Sequence, residues 1–250
     1  MKNLVCAFVL SGLVSAGALE PSSGKPEIAA RVLSIKEVLQ AHNAEQNAAL
    51  LSTWTAEAVK LTSYSGGVDG DSSSFFERKV EVVVSGDSFK RRKSDPLALR
   101  EQVELVDGRS AYRAIRENGR QTENAELSDS QRVPVDFSIK TFGLVPILNQ
   151  LSDPSVAVTY VGQTLQRQDK FNAATAVGNW TIYCDQQRSI RRVEFGDKII
   201  EYADYRLVKG VRLPFIQRLH FRGRLVYELV FTRIELGPKL PPGYFNRENI

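Results

Sequence analysis

The order of apolar and polar residues predicts an α+β chain dominated by one strongly curved antiparallel sheet, an incomplete barrel with helices on one face. Three observations predict it. A helix-period segment opens the folded region, a period of two then runs almost to the end, and one dense apolar insert interrupts it near the middle. The composition agrees with a globular chain: 250 residues, 42% hydrophobic and 25% charged. Two cysteines exclude a disulfide scaffold, and two histidines leave little for a metal site. The net charge of +4 is a mild excess that does not call for nucleic acid.

The first eighteen residues read as an address. Met1-Lys2-Asn3 is a short basic start, Leu4 to Val14 is almost wholly apolar, and Ala16-Gly17-Ala18 supplies small residues. That is the pattern of a secretory signal peptide cleaved after Ala18. Its apolar core of about 11 residues is too short to span a bilayer, which takes about 20. Cleavage removes Lys2 and Cys6, so the mature chain has Cys184 alone and forms no internal disulfide.

Residues 19–26 form a loose arm, and Pro26 suits the first turn of a helix. Ile28, Val32, Ile35 and Leu39 then share a face, which predicts an amphipathic helix over 27–44. Strands are expected at about 51–63, 76–85, 101–106 and 110–117, with Asp107-Gly108 and Asn118-Gly119 as hairpin turns. Residues 64–74 and 120–133 read as polar loops. From 134 to 151 apolar residues are dense, but Gly143 and Pro146 interrupt them, so a short helix is expected on each side of Gly143. From Val156 to Leu236 turn signals recur at Gly196-Asp197, Lys209-Gly210, Arg222-Gly223 and Gly237-Pro238, which implies a meander of long strands. No boundary divides 27–250, which reads as one domain.

The faces of the strands carry the functional argument. On 212–222, Leu213, Phe215, Leu219 and Phe221 point one way, and Arg212, Arg218, His220 and Arg222 the other. Strand 225–236 is apolar on both faces and should be covered on both. Val80, Val82 and Val84, with Trp180, Ile182 and Cys184, add one-sided surface. The concavity is then either packed solid by its own side chains or left with a hydrophobic cavity for a ligand.

Nothing in the sequence points to catalysis. His42 and His220 read as surface histidines, and no nucleophile elbow, phosphate loop or metal-ligand cluster occurs. The reading is a non-enzymatic monomer with no cofactor and no metal. Lys90-Arg91-Arg92-Lys93 is a basic run, and arginines from Arg188 to Arg224 crowd the meander. These residues form either a solvated face or a patch attracted to anionic lipid head groups.

The segment Glu201 to Phe215 holds Val208, Gly210, Val211 and Pro214 in a strand–turn–strand pattern, V-x-G-V-x-x-P. Ile234-Glu235-Leu236 is followed by Leu240-Pro241-Pro242-Gly243-Tyr244-Phe245, an L-P-x-x-x-F ending. Over about residues 180–246 the chain resembles the LolA-like family of bacterial lipoprotein carriers, and the order of its earlier elements agrees. The resemblance implies a half-open β-barrel of about 10–11 strands, a periplasmic location, and lipid or lipoprotein acyl chains as ligand. Inner- and outer-membrane transport components are the implied partners. The acyl-binding wall would be Val82, Val84, Trp180, Ile182, Leu213, Phe215, Leu219, Phe221, Tyr227, Leu229 and Phe231. The lid would carry Ile139, Phe142, Leu144 and Leu148. An exposed tail costs about 0.8 kcal/mol per CH₂, so a soluble carrier must offer comparable apolar surface and cover it when empty. The other possibilities are an envelope interaction or lipoprotein-sensing module with a closed interior, and a lipid hydrolase with a reactive cluster at the cavity mouth.

Overall fold

The computed structural model describes residues 34–64, 74–108, 110–175 and 178–250. The signal segment, the arm, the helix residues Ile28 and Val32, and nearly all of the 64–74 loop lie outside these. Helix α1 (Ile35–Ala41) starts from a capping box in which the Ser34 N–H donates to the Glu37 carboxylate at 3.1 Å. It ends before Asn43, whose φ is +54°. A 3₁₀ turn (Glu45–Asn47) and α2 (Ala48–Leu51) lead into the sheet.

Six strands follow as a meander: β1 (Thr53–Tyr64), β2 (Ser74–Ser85), β3 (Ser88–Asp95), β4 (Arg100–Asp107), β5 (Ser110–Glu117) and β6 (Arg120–Glu126). Then come α3 (Asp129–Thr141) and α4 (Val145–Ser152). The second meander is β7 (Ala157–Gln163), β8 (Asp169–Thr175), β9 (Gly178–Cys184), β10 (Ile190–Phe195), β11 (Lys198–Val208), β12 (Val211–Phe221) and β13 (Arg224–Leu236). The two-residue turns Asn118-Gly119, Lys209-Gly210 and Arg222-Gly223 have both residues at positive φ, as type I′ hairpins require.

All 13 strands form one antiparallel sheet in the order β6-β5-β4-β3-β2-β1-β13-β12-β11-β10-β9-β8-β7. The first and last strands pair at its centre, Trp54 opposite Leu236 and Ala58 opposite Phe231. The free edges are β6 and β7, and the sheet does not close into a barrel. A chain that leaves one edge and enters the other must cross a face of the sheet, and α3–α4 is that crossing. Its buried side chains (Val135, Phe142, Leu144, Val145, Ile147, Leu148 and Leu151) join one core with the inner face of the strands.

Several expectations are corrected. The strand count exceeds 10–11 because β3 and β6 lack the apolar alternation by which the other strands were read. Residues 120–133 are not a loop: β6 is an edge strand with nearly every side chain in solvent, and α3 begins at Asp129. Pro146 does not break a helix but sits in the first turn of α4, where its missing N–H has no partner to lose. Strand β13 is not covered on both sides. A bulge opposite Glu57/Ala58 shifts its alternation, so Leu229 and Phe231 before it and Leu236 after it face the same core. Val226 remains exposed. The C-terminal tail brings Phe245 and Ile250 onto Val103, Leu105 and Ala114, on the opposite side of β4 and β5.

Candidate ligand cavity and its helical cover

Strand alternation places Val82 and Val84 (β2), Trp180 and Ile182 (β9), Leu213, Phe215 and Leu219 (β12), and Leu229 and Phe231 (β13) in one buried cluster. Phe142, Leu144 and Leu148 of the crossing segment belong to the same cluster, with Ile139 and Tyr227 packed against it. Phe142 is the central contact: its ring meets Phe231 edge-on at 5.6 Å and stacks near Trp54 at 6.4 Å. Phe221 does not join them. It is 41% exposed at the hairpin end of β12, beneath the Arg222 guanidinium.

The bend between α3 and α4 is fastened by polar groups of the sheet. Gly143, at φ +72°, donates its N–H to Gln217 Oε1 at 2.6 Å. Gln217 Nε2 donates to the Thr141 carbonyl at 3.2 Å, and the Tyr202 hydroxyl donates to the Gly143 carbonyl at 3.3 Å. Tyr202 and Gln217 are register partners on β11 and β12. Gln217 is fully buried and shares the alternation of Leu213, Phe215 and Leu219. Sequence reasoning missed it, although a lone amide on an apolar face is itself a signal that a partner must cover it.

Beside α3 the concave face changes character. A cavity of about 430 Å³ opens between α3 and strands β1–β5 and β13. Val80, Val135, Phe142 and Leu229 form its apolar wall, and Lys60, Arg91, Lys93, Gln102, Glu104 and Arg113 its polar wall. The register sets Arg91, Glu104 and Arg113 side by side across β3, β4 and β5, with Lys93 beside Gln102 on the next inward rung. The pleat thus divides the basic run that looked like a single surface feature. Arg91 and Lys93 turn inward, while Arg92 turns outward to Glu101 at 3.0 Å.

Glu104 is 2% exposed. It accepts hydrogen bonds from Arg91 Nε at 2.7 Å and from Gln102 Nε2 at 2.7 Å, with Lys93 at 3.4 Å and Arg113 at 3.7 Å. Burial would raise its carboxyl, but Arg91, Lys93 and Arg113 together hold it below its usual value. Burial, reinforced by the Arg91 charge, lowers both Lys60 and Lys93 to about 8. The Lys60 ammonium lies 4.3 Å from the Tyr227 ring centroid.

The two histidines separate. His220 is half-buried, 3.3 Å from Glu201. His42 is not a surface residue: it is fully buried. Its Nδ1 lies 2.7 Å from the Arg212 carbonyl, and its Nε2 accepts the Ile190 N–H at 3.2 Å. That pair of bonds fixes a neutral ring protonated on Nδ1, tying the end of α1 to β10 and β12. Burial lowers its pKa to about 4. Burial also pushes the Cys184 thiol up, so it is an inert core residue. Arg188, Arg191, Arg192, Arg206, Arg218 and Arg222 each pair with a carboxylate. Among the described residues no cluster of His, Cys, Asp and Glu could hold a metal ion.

An open antiparallel sheet whose concave face is covered by a helical crossing is the LolA-like fold, and this chain has it. A crystal structure of a LolA superfamily protein from Nitrosomonas europaea superposes with a TM-score of 0.58 at 13% identity, covering 87% of this chain and 100% of that one. A DUF1329 family protein from Desulfovibrio piger superposes with a TM-score of 0.57 at 10% identity, covering 86% and 97%. No family model matches the sequence, and no curated protein matches it significantly.

Proposed function

We propose that residues 27–250 form a single carrier domain, exported to the periplasm behind the signal at 1–18. It takes up the acyl chains of lipids or lipoproteins on its concave face and passes them between membrane components without catalysis. One observation carries this reading. A separate crossing segment, bent at Gly143, fills the apolar concavity with Phe142, Leu144, Ile147 and Leu148, in the volume that a tail would take. In this reading the buried wall from Val82 to Phe231 is the tail's seat, and α3–α4 is its movable cover. The superfamily of the Nitrosomonas neighbour supports it.

The test is displacement of a fluorescent fatty acid, paired with native mass spectrometry of protein purified from its own periplasm. The expected result is a co-purified lipid and saturable displacement. Absence of both would end the carrier reading. The complete burial of Ile147 and Leu148 favours a second reading, an envelope module whose interior stays shut. Under that reading α4 amides exchange only with global unfolding, whereas a carrier's cover exchanges by local opening.

A further inference from the structure

The charges in the cavity are more than a closed apolar interior needs. Four cations (Lys60, Arg91, Lys93 and Arg113) share the wall with one carboxylate, Glu104. Arg91 is committed to Glu104 by two hydrogen bonds. The other three are not balanced. Lys93 and Arg113 approach the same carboxylate at 3.4 and 3.7 Å, and among the described residues Lys60 has the Tyr227 ring as its direct contact and feels Glu104 only at longer range. Arg113 Nε is buried with no hydrogen-bond partner among the described residues. Burying unpaired charge costs several kcal/mol per ion. A cavity meant only for hydrocarbon would be better lined by apolar groups of the same size. Val80 and Leu229 stand beside Lys93 and Lys60 on the strands, and Val135 and Phe142 line the cavity from the crossing segment, so the cavity is amphipathic, with apolar surface for a chain next to cations for a negative group.

We propose that this polar wall binds the anionic head, a carboxylate or a phosphate, of an acyl-bearing ligand, with Lys60, Lys93 and Arg113 as its partners. The proposal rests on the carrier reading for the tail and adds the class of head group. Glu104 holds Arg91 and orders the wall, and the incoming anion balances what Glu104 leaves over.

The experiment compares palmitate, hexadecanol and a lysophosphatidate of equal chain length on the full mature chain, with inorganic phosphate as a head-only probe. The expected result is that one or both anionic amphiphiles bind at least about tenfold tighter than the alcohol. The order of palmitate and lysophosphatidate identifies the head. K60M/K93M should reduce the anions to the level of the alcohol and leave the alcohol unchanged. Methionine keeps the apolar stem, and circular dichroism checks the fold. Equal binding of acid and alcohol by the wild-type chain would overturn the proposal and leave the carrier reading intact, whatever the variant does. So would a preference that survives in a folded double variant. Phosphate binding without any chain binding would leave the anion site standing and end the carrier reading. Binding of none of the probes would end both.

Discussion

Replacing Gln217 with leucine tests whether the cover is held by the bend at residues 141–143. Leucine fills a similar volume but returns neither hydrogen bond, leaving the Gly143 N–H and the Thr141 carbonyl buried without partners. Each orphaned group costs about 1–3 kcal/mol, and the gain from a leucine on an apolar face recovers part of it, so the docked cover should lose about 2–4 kcal/mol. At about 1.4 kcal/mol per decade that is roughly a 30- to 700-fold rise in its opening constant. Amide exchange resolved by peptide reads it directly. Segments within 135–152 should lose that much protection, while those of β9 and β11 change little. Two results would refute the reasoning. One is protection across Thr141–Leu148 that shifts by less than about threefold. The other is an equal loss across the sheet, which would mean that Gln217 supports the whole fold rather than the cover.

Two further outcomes follow from buried charge. His42 has a folded pKa of about 4 against 6.5 unfolded. Arg212, Asp185 and Arg191 are the charged groups that face it. The unfolded chain binds the extra proton between those values, so this stability is complete above about pH 6.5 and falls by about 3 kcal/mol as the pH drops to 4. Urea unfolding at pH 7 and pH 4 should show that slope, and H42Q should flatten it. E104Q strands the Arg91 guanidinium among Lys93 and Arg113 and should destabilise the chain by about 3–5 kcal/mol in denaturant melts at pH 7. A change under 1 kcal/mol would mean that solvent already screens the cluster.

The features legible in the sequence are those where one local rule acts alone. Asn118-Gly119 and Arg222-Gly223 are readable as turns because their glycine takes a positive φ without a Cβ penalty, which asparagine also tolerates at Asn118. The helices flanking Gly143 were readable because that glycine and the apolar density conflict with a continuous strand. Strands β3 and β6 were hidden for opposite reasons. The edge strand β6 buries almost nothing, so its side chains carry no alternation, whereas the alternation in β3 lies within a run of four basic residues. Parity fails at bulges. The extra residue in β13 returns Leu236 to the inner face, and no local signal in the sequence marks it. The polar wall was recoverable in principle, since Lys60 continues the alternation of Trp54, Ala56 and Ala58, and Arg91 and Lys93 continue that of Phe89.

The strand order explains why the cover can be separate from the sheet it closes. Pairing β1 with β13 at the centre leaves β6 and β7 as edges joined only by α3–α4, so the sheet's ladders stay intact whether or not the crossing is docked. Docking is then set by the crossing's own contacts: its buried apolar side chains, with Phe142 against Trp54 and Phe231, and the bonds from Gln217 and Tyr202 to the bend. Apolar contacts made by the cover can be replaced in kind by a hydrocarbon chain, but the bonds at the bend cannot. Under the proposed carrier function, the bend is the point that stays attached as a guest displaces α4. Q217L should accordingly make release of the cover less selective for ligand, raising opening in the empty chain more than in the loaded one.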